Sequence, residues 1–318
     1  MVRLLRPEQA PPLERPRVVA RPQPPGLRPT DRVLGLRLDG SSVARAYPLN
    51  LLAYHRVVLD VLDGRSVVVA FSPLSESARC SVLERDERLR ASGKVHQGDD
   101  LLVDDRTGSL WSVLLGSAVL GPRAGEPLAR RGARCAIMTW AAWRALAPPT
   151  TVAWPRRAVL GFDYRRDPWA WYRADDGHLV TALHYVDLRL PRKQMVLGVA
   201  LGGEARAFLV PGASAARAPI AVNTRVGGEP VIVLLDGRRR IAAAYLRRAG
   251  GGTARFSWSR DGRQLVDDRT GSRWNALGEA VAGPLVGERL EPAPGSPALF
   301  FAWAAHHPGT AIERREQP

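Results

Sequence analysis

An internal repeat constrains the fold of this chain more than any other feature of its sequence. The segment Val103–Trp111 returns as Val266–Trp274, 163 residues later, with eight of nine residues identical. A second block, Val33–Gly35, returns at the same offset as Val196–Gly198. Self-similarity at a fixed spacing indicates a duplicated structural unit. The sequence therefore predicts two tandem copies of one domain.

The duplication divides the 318 residues into four predicted segments. Residues 1–32 are rich in proline and arginine and are expected to form a flexible arm. Residues 33–154 are repeat one and residues 196–318 are repeat two. The connector, residues 155–195, holds several tryptophans and tyrosines. Because aromatic side chains are usually buried against other groups, we expect the connector to pack on the repeats.

Each repeat has the pattern of a mainly β, β-rich α+β domain. Alternating apolar residues flank turn signals such as Asp39-Gly40 and predict hairpins. The predicted hairpins are Leu34–Leu38 with Val43–Tyr47, Val57–Leu62 with Val67–Phe71, and Ile220–Val226 with Val231–Leu235. Short helices are predicted over Asn50–Arg56 and Thr139–Leu146. Short strands between glycine and proline turns are typical of a small barrel- or sandwich-like domain, and we predict two such domains in tandem.

The charge of the chain does not point to a nucleic-acid site. The formal net charge is +15, but 44 of the 46 basic residues are arginine, which resembles the codon bias of a GC-rich genome. The charge is also spread evenly, and the longest basic run is Arg238–Arg240. A phosphate-binding surface would concentrate charge. We therefore disfavour nucleic acid, keep weak nucleic-acid binding through a diffuse basic surface as a second alternative function, and expect the partner to be a small molecule or a protein of unidentified class.

Composition also limits compartment, metal and cofactor. No apolar stretch reaches the roughly 18 residues that a membrane-spanning helix needs. No signal-peptide pattern precedes the first repeat, so the sequence as written predicts a cytoplasmic protein, and a misassigned start codon would make it an exported one. Cys80 and Cys135 lie far apart and outside any Cys-x-x-Cys pair. We predict no metal site and no cofactor.

Four segments of the chain resemble a bacterial family called domain of unknown function 3179. They are Arg45–Pro48, His55–Asp60, Asp105–Trp111 and Trp143–Thr150. The resemblance is looser in repeat two. It implies no particular reaction, because the family has no settled activity.

One motif of that family differs in this chain. After the strand that ends at Phe71, family members commonly carry Cys-Pro-Leu-Cys-Gly-(Ser/Thr)-Ala, which resembles a thiol redox pair. Here Ser72–Ala78 reads Ser-Pro-Leu-Ser-Glu-Ser-Ala. The equivalent positions of repeat two fall near Leu235 and Arg238. Because a serine hydroxyl cannot form a disulfide, we interpret the chain as a non-catalytic binding or accessory protein that has lost a redox-type motif.

An enzymatic alternative stays open. The Ser72–Ser77 loop is present only in repeat one and follows an apolar strand, a position where sites often lie. Ser72 or Ser75 could act as a nucleophile with His55 as its base, oriented by Asp60. Glu76 and Ser77 are the candidate binding residues of the same loop.

The features shared by both repeats are predicted to stabilise the fold. In the repeated turn, an aspartate would accept hydrogen bonds from backbone N–H groups, a glycine would supply a positive φ, and a tryptophan would enter the core. The turn residues are Asp105, Thr107, Gly108 and Trp111 in repeat one, and Asp268, Thr270, Gly271 and Trp274 in repeat two.

Overall fold

The computed structural model forms two compact units. It describes residues 1–6, 9–20, 26–84, 87–128, 132–157, 159–213 and 218–313. Unit 1 comprises residues 1–193 and 298–306, and unit 2 comprises residues 194–297 and 307–318. The predicted arm, both repeats and the connector each extend in part outside the described residues.

Strands dominate both units, which confirms the mainly β prediction, since 45% of residues are in strands and 9% in helices. Unit 1 contains β1 (Val2–Arg3), β2 (Leu13–Glu14), β3 (Arg17–Val19), β4 (Arg32–Leu38), β5 (Ala44–Pro48), α1 (Leu49–His55), β6 (Val57–Leu62), β7 (Arg65–Ser72), β8 (Ser77–Val82), β9 (Leu89–His96), β10 (Asp99–Asp104), β11 (Leu110–Ser112), β12 (Ser117–Leu120), β13 (Ala133–Thr139), α2 (Trp140–Leu146), β14 (Thr150–Trp154) and α3 (Ala170–Ala174).

The remaining strands begin in unit 2. They are β15 (Met195–Leu201), β16 (Glu204–Leu209), β17 (Ile220–Val226), β18 (Glu229–Asp236), β19 (Ile241–Leu246), β20 (Arg248–Ala249), β21 (Gly252–Thr253), β22 (Phe256–Trp258), β23 (Leu265–Asp267), β24 (Arg273–Trp274), β25 (Ala280–Ala282), β26 (Gly295–Leu299) and β27 (Ala311–Glu313). The fourth helix, α4 (Phe300–His306), belongs to unit 1. No helix in the described part of the chain is long and apolar enough to cross a membrane.

The strands form small separate sheets, so the prediction of barrel- or sandwich-like domains is wrong. The sheets of unit 1 have the orders β1-β9-β10-β11-β12, β13-β4-β5-β14-β3 and β2-β6-β7-β8. The principal sheets of unit 2 have the orders β26-β15-β16-β27, β17-β18-β19 and β22-β23-β24-β25. Most strands pair with their neighbours in sequence, and no sheet of this set closes on itself. Small meanders of this kind are propeller-like blades, three in each unit.

The strand order of each sheet in unit 2 matches that of a sheet in unit 1. Strand β13 corresponds to β26, β6-β7-β8 to β17-β18-β19, and β9-β10-β11-β12 to β22-β23-β24-β25. A tandem duplication requires this agreement. Duplication itself stays our prediction.

The N-terminal arm is part of the sheets, contrary to the prediction of a flexible segment. Strand β1 pairs with β9, β2 with β6, and β3 with β14. Each is added at an outer edge, where a strand needs to satisfy hydrogen bonds on one side only. Proline is tolerated at such edges, so a proline-rich composition does not exclude pairing there.

Local patterns located the hairpins and two of the helices correctly. Strands β4 and β5 pair across Asp39-Gly40, and β6 pairs with β7. Helices α1 and α2 lie where they were predicted, whereas α3 and α4 were not predicted. Helix α4 follows β26 as α2 follows β13, so the repeat itself was the signal that could have located it.

Candidate functional site

The Ser72–Ser77 loop lies in the interior of unit 1. It joins β7 to β8, and Ser72 pairs with Ser77 across the turn. The side chains of Ser72, Ser75 and Ser77 are fully buried, and Glu76 is 1% exposed. The Ser75 carbonyl accepts a hydrogen bond from the N–H of Leu299 at 2.7 Å. The loop does follow an apolar strand, but it is covered rather than open to solvent.

Ser72 is held by Asp100. Its hydroxyl donates to Asp100 Oδ2 at 2.7 Å, and the Asp100 N–H donates back to Ser72 Oγ at 3.1 Å. Ser72 Oγ also accepts from the Ser75 N–H at 3.4 Å. This serine therefore closes the turn and joins it to the start of β10.

Ser75 belongs to a second cluster, centred on the fully buried Asp99. Asp99 Oδ1 accepts from the hydroxyls of Ser75 at 2.7 Å and Ser77 at 3.2 Å. Asp99 Oδ2 accepts from the Ser112 hydroxyl at 2.7 Å and the Leu114 N–H at 2.9 Å. Four donors converge on one carboxylate and tie β8, β10 and β11 together.

Burial changes the acidity of both aspartates. Desolvation raises the pKa of Asp99, although the donors from Leu114 and Ser112 oppose it. Desolvation also raises the pKa of Asp100, opposed by the positive charge of Arg56. Arg56 Nε lies 3.5 Å from Asp100 Oδ1, and its guanidinium lies over the Trp169 ring, 5.0 Å from the centroid. Carboxyls with raised pKa values are potential acid–base groups.

Glu76 belongs to a network of ion pairs beside the two serine clusters. Its carboxylate accepts hydrogen bonds from Arg32 and from Arg173 Nη1, the latter at 2.9 Å. Arg173 also pairs with Asp167. Burial favours the neutral acid, but attraction to Arg32 and Arg173 outweighs it and lowers the pKa of Glu76.

The backbone at Glu76 is in the left-handed region, with φ of 60°. Residues other than glycine rarely adopt this conformation, which costs them about 1–2 kcal/mol relative to glycine. The two arginine contacts offset that cost. Strain of this kind at a buried charged residue marks a site that the surrounding structure holds in place.

We expect Glu76→Gly and Glu76→Gln both to lower the free energy of unfolding, because both remove the ion pairs with Arg32 and Arg173. Glycine relieves the backbone strain, but it leaves Arg32 and Arg173 without an acceptor at this position, whereas the glutamine amide oxygen can still accept one hydrogen bond. The Gln variant should therefore be the more stable of the two. Urea unfolding at pH 7 measures the order, and a Gly variant more stable than the Gln variant would mean that the backbone strain outweighs the arginine contacts.

The pH dependence has a definite sign. The pKa of Glu76 in the folded state lies below its ordinary value of 4.5, so its stabilising contribution is present above that pH and is lost as the pH falls. The difference in stability between wild type and Glu76→Gln should shrink below that pH.

His55 does not join the two serines. Its Nδ1 lies 2.7 Å from the Pro11 carbonyl oxygen and its Nε2 lies 2.8 Å from the Tyr164 hydroxyl. Desolvation lowers the pKa of the ring. Asp60, proposed to orient His55, instead accepts hydrogen bonds from Arg45 at 2.6 Å and Tyr47 at 2.9 Å. The predicted nucleophile–base–acid arrangement is therefore wrong.

Sequence reasoning located the serines but missed their partners. Asp99 and Asp100 form an acidic pair at the start of β10, and the same positions of repeat two, 163 residues later, hold Gly262 and Arg263. An acidic pair present in one repeat only was the available signal. Strand pairing also places Asp236, not Leu235, at the position equivalent to Ser72.

The repeated tryptophan turns are capped one residue earlier than predicted. Asp104 Oδ1 accepts from the Arg106 N–H at 2.9 Å, and Asp267 Oδ1 accepts from the Thr270 N–H at 2.7 Å. The predicted caps, Asp105 and Asp268, lie on the surface instead. Asp105 forms an ion pair with Arg90, and Asp268 accepts a hydrogen bond from the backbone N–H of Arg255, which lies just before β22.

The other turn residues lie as the pattern indicated. Gly108 and Gly271 have φ values of 70° and 71°. Thr107 Oγ1 donates to Asp104 Oδ2 at 2.9 Å, and Thr270 makes the same contact with Asp267 at 3.0 Å.

Three histidines of unit 1 lie near one another. The His96 ring centroid lies 5.5 Å from that of His306 and 6.1 Å from that of His184. Burial and the neighbouring His96 lower the pKa of His306 to about 4. Within the described ranges, no three His, Cys, Asp or Glu side chains have the geometry to hold a metal ion. Cys80 and Cys135 both lie within the described residues, and no disulfide joins them there.

Comparison with known proteins places the chain in a family without assigning a reaction. No curated protein and no solved structure matches it. The sequence profile of one family matches residues 7–310, nearly the whole chain. The chain therefore belongs to the family described as protein of unknown function (DUF3179).

Proposed function

We propose that this chain is a non-catalytic binding or accessory member of its family, in which a serine–aspartate network has replaced a redox-type thiol pair. The observation that carries the proposal is the complete burial of Ser72 and Ser75, each donating its hydroxyl proton to a buried carboxylate at 2.7 Å. In this interpretation the loop is a structural centre of unit 1.

Two features support a structural role over a catalytic one. A nucleophilic serine must reach a substrate atom, and neither hydroxyl is exposed. The histidine that would serve as base is engaged by Pro11 and Tyr164 instead. A nucleophile needs both access and an activating base within hydrogen-bond reach.

The loss of a thiol pair can be tested by restoring it. Ser72 Oγ lies 3.4 Å from the backbone nitrogen of Ser75, so the two residues are close to each other within one tight turn. The double variant Ser72→Cys/Ser75→Cys should form an internal disulfide on mild oxidation. Thiol titration of the unfolded protein should then detect the two native cysteines alone, against four after reduction.

The single variant Ser75→Cys is the control, and its three thiols should all stay titratable under the same oxidation. If the double variant also kept every thiol, the loop would not hold two sulfur atoms at bonding distance. The proposal of a lost redox pair would then be wrong.

One observation favours a second candidate, an enzyme that uses Ser75 with Asp99 as its base. Burial raises the pKa of Asp99, which makes it a stronger base than an exposed aspartate. Hydrolysis of a series of small esters by wild type and by Ser75→Ala separates the two candidates. We expect equal background rates. Turnover by wild type that is lost in a folded Ser75→Ala protein would overturn the non-catalytic proposal.

A further inference from the structure

Unit 2 contains a cavity of about 580 Å³ beside the outer edge of β17. Ala221 and Asn223 line it from β17, and Phe256 and Trp258 line it from β22. Its volume lies in the range of small-ligand and peptide sites. The indole Nε1–H of Trp258 is buried and has no acceptor among the described residues.

Strand pairing identifies the same place in unit 1. The hairpins end with Leu62 opposite Arg65 in unit 1 and Val226 opposite Glu229 in unit 2, so Asn223 corresponds to Leu59 and Ala221 to Val57. In the next sheets, Leu89 pairs with Asp104 as Phe256 pairs with Asp267. Phe256 therefore corresponds to Leu89, and Trp258 to Ala91.

In unit 1 this place is filled by the N-terminal arm of the chain itself. Ala10, 2% exposed, is part of the core cluster that contains Val57, Leu89 and Ala91, and Leu59 packs against that cluster. Strand β2 continues the arm as a parallel partner of β6. The Arg15 N–H donates to the Leu59 carbonyl at 2.8 Å. The four positions of unit 1 that belong to, or pack against, the cluster containing Ala10 correspond to four residues that line the cavity in unit 2.

No described strand takes the place of β2 in unit 2, where β17 is an edge strand. An unpaired strand edge beside a cavity lined by both polar and apolar side chains can accept an extended peptide as an added strand. The chain thus contains one filled and one open version of the same groove.

The charges at the rim of the cavity also differ between the units. In unit 1, Asp105 pairs with Arg90 at 2.5 Å. Ser257 stands at the position of Arg90 in unit 2, and Asp268 makes no ion pair within the described ranges. Its carboxylate accepts the Arg255 N–H at 2.8 Å. Asp268 and the exposed Arg255 offer one charge of each sign to a ligand.

We propose that the unit 2 cavity binds an extended segment of a partner protein, added as a parallel strand to β17. The segment has the chemistry of the arm: small and apolar side chains with proline, followed by an acidic and a basic residue, as in Leu13-Glu14-Arg15. The arm of a second copy is disfavoured as the occupant, because withdrawing Ala10 from its own core would expose buried apolar surface.

A labelled peptide with the sequence of residues 9–20 is a direct probe. Fluorescence anisotropy with the full chain should show saturable binding at one site. Ala221→Trp, which fills the cavity, should weaken binding by about tenfold or more, equivalent to 1.4 kcal/mol. Ser257→Arg, an exposed change that gives Asp268 the partner found in unit 1, should weaken it by a smaller factor.

Ser42→Arg is the matched control, since it adds the same charge at an exposed position of unit 1, and it should bind like wild type. If wild type, Ala221→Trp and Ser257→Arg bound equally, the peptide would be exchanging with the arm in unit 1, and the proposal would be wrong. Absence of binding by wild type would also overturn it. If light scattering of the chain alone showed a dimer that Ser257→Arg dissociates, the occupant would be a second copy instead.

Discussion

Replacing Asp99 by alanine should lower the free energy of unfolding by about 4 kcal/mol or more, because four buried donors lose this acceptor at once and only the hydroxyls of Ser75 and Ser77 can still hydrogen-bond to each other. Each unsatisfied buried donor costs roughly 1–3 kcal/mol. The donors are the hydroxyls of Ser75, Ser77 and Ser112 and the N–H of Leu114. Urea unfolding at pH 7, followed by tryptophan fluorescence, measures the loss.

Ser77→Ala is the matched comparison, since it removes one donor and leaves the carboxylate with the other three. It should cost no more than about 1.5 kcal/mol. If Asp99→Ala and Ser77→Ala were equally stable, the carboxylate would not be the centre of the network, and the structural role given to the loop would fail.

Truncating either repeated tryptophan is expected to cost about 3–5 kcal/mol, because a large buried aromatic side chain leaves a cavity. Trp111 and Trp274 are both fully buried. The melting temperature should therefore fall in Trp111→Ala and in Trp274→Ala alike. If both melted like wild type, the two turns would be exposed loops and their structural assignment would be wrong.

Phenylalanine variants separate the two sites further. Trp274 Nε1 donates to Asp267 Oδ2 at 2.9 Å. Trp111 Nε1 has no acceptor in the described part of the chain, and the Arg123 guanidinium lies over the ring instead, 4.7 Å from its centroid. A hydrogen bond to a charged group contributes about 1.5–3 kcal/mol, so Trp274→Phe should be the more destabilising of the two. Equal losses would mean that the Asp267 contact contributes little.

The sequence was a good guide wherever the signal was local. Turn residues such as Asp39-Gly40 fix a hairpin through backbone conformations of adjacent residues, and β4 and β5 pair as predicted. Helix α4 was not predicted, because its short apolar run has no helical signal of its own and only its correspondence to α2 in the repeat indicates a helix. The barrel prediction failed for a different reason, since closure depends on whether distant strands meet, and periodicity carries no information on that.

The candidate site shows the same division. The loop at Ser72–Ser77 could be predicted from the sequence, because a polar stretch follows an apolar strand there. Its partners, Asp99 and Asp100, lie more than twenty residues further along the chain and reach the serines because β10 packs near the β7–β8 turn. His55 is nearer in sequence, yet its ring is held by Pro11 and Tyr164.

The sequence by itself determined the β-rich class, the hairpins, the repeated turns and the family, because each depends on neighbouring residues or on matching segments. The tertiary structure alone decided which buried charges pair, that the arm fills a groove in unit 1, and that the matching groove in unit 2 is open. Those outcomes depend on contacts between residues far apart in the chain. Burial makes such contacts strong, because a polar group removed from water must find its partner within the protein.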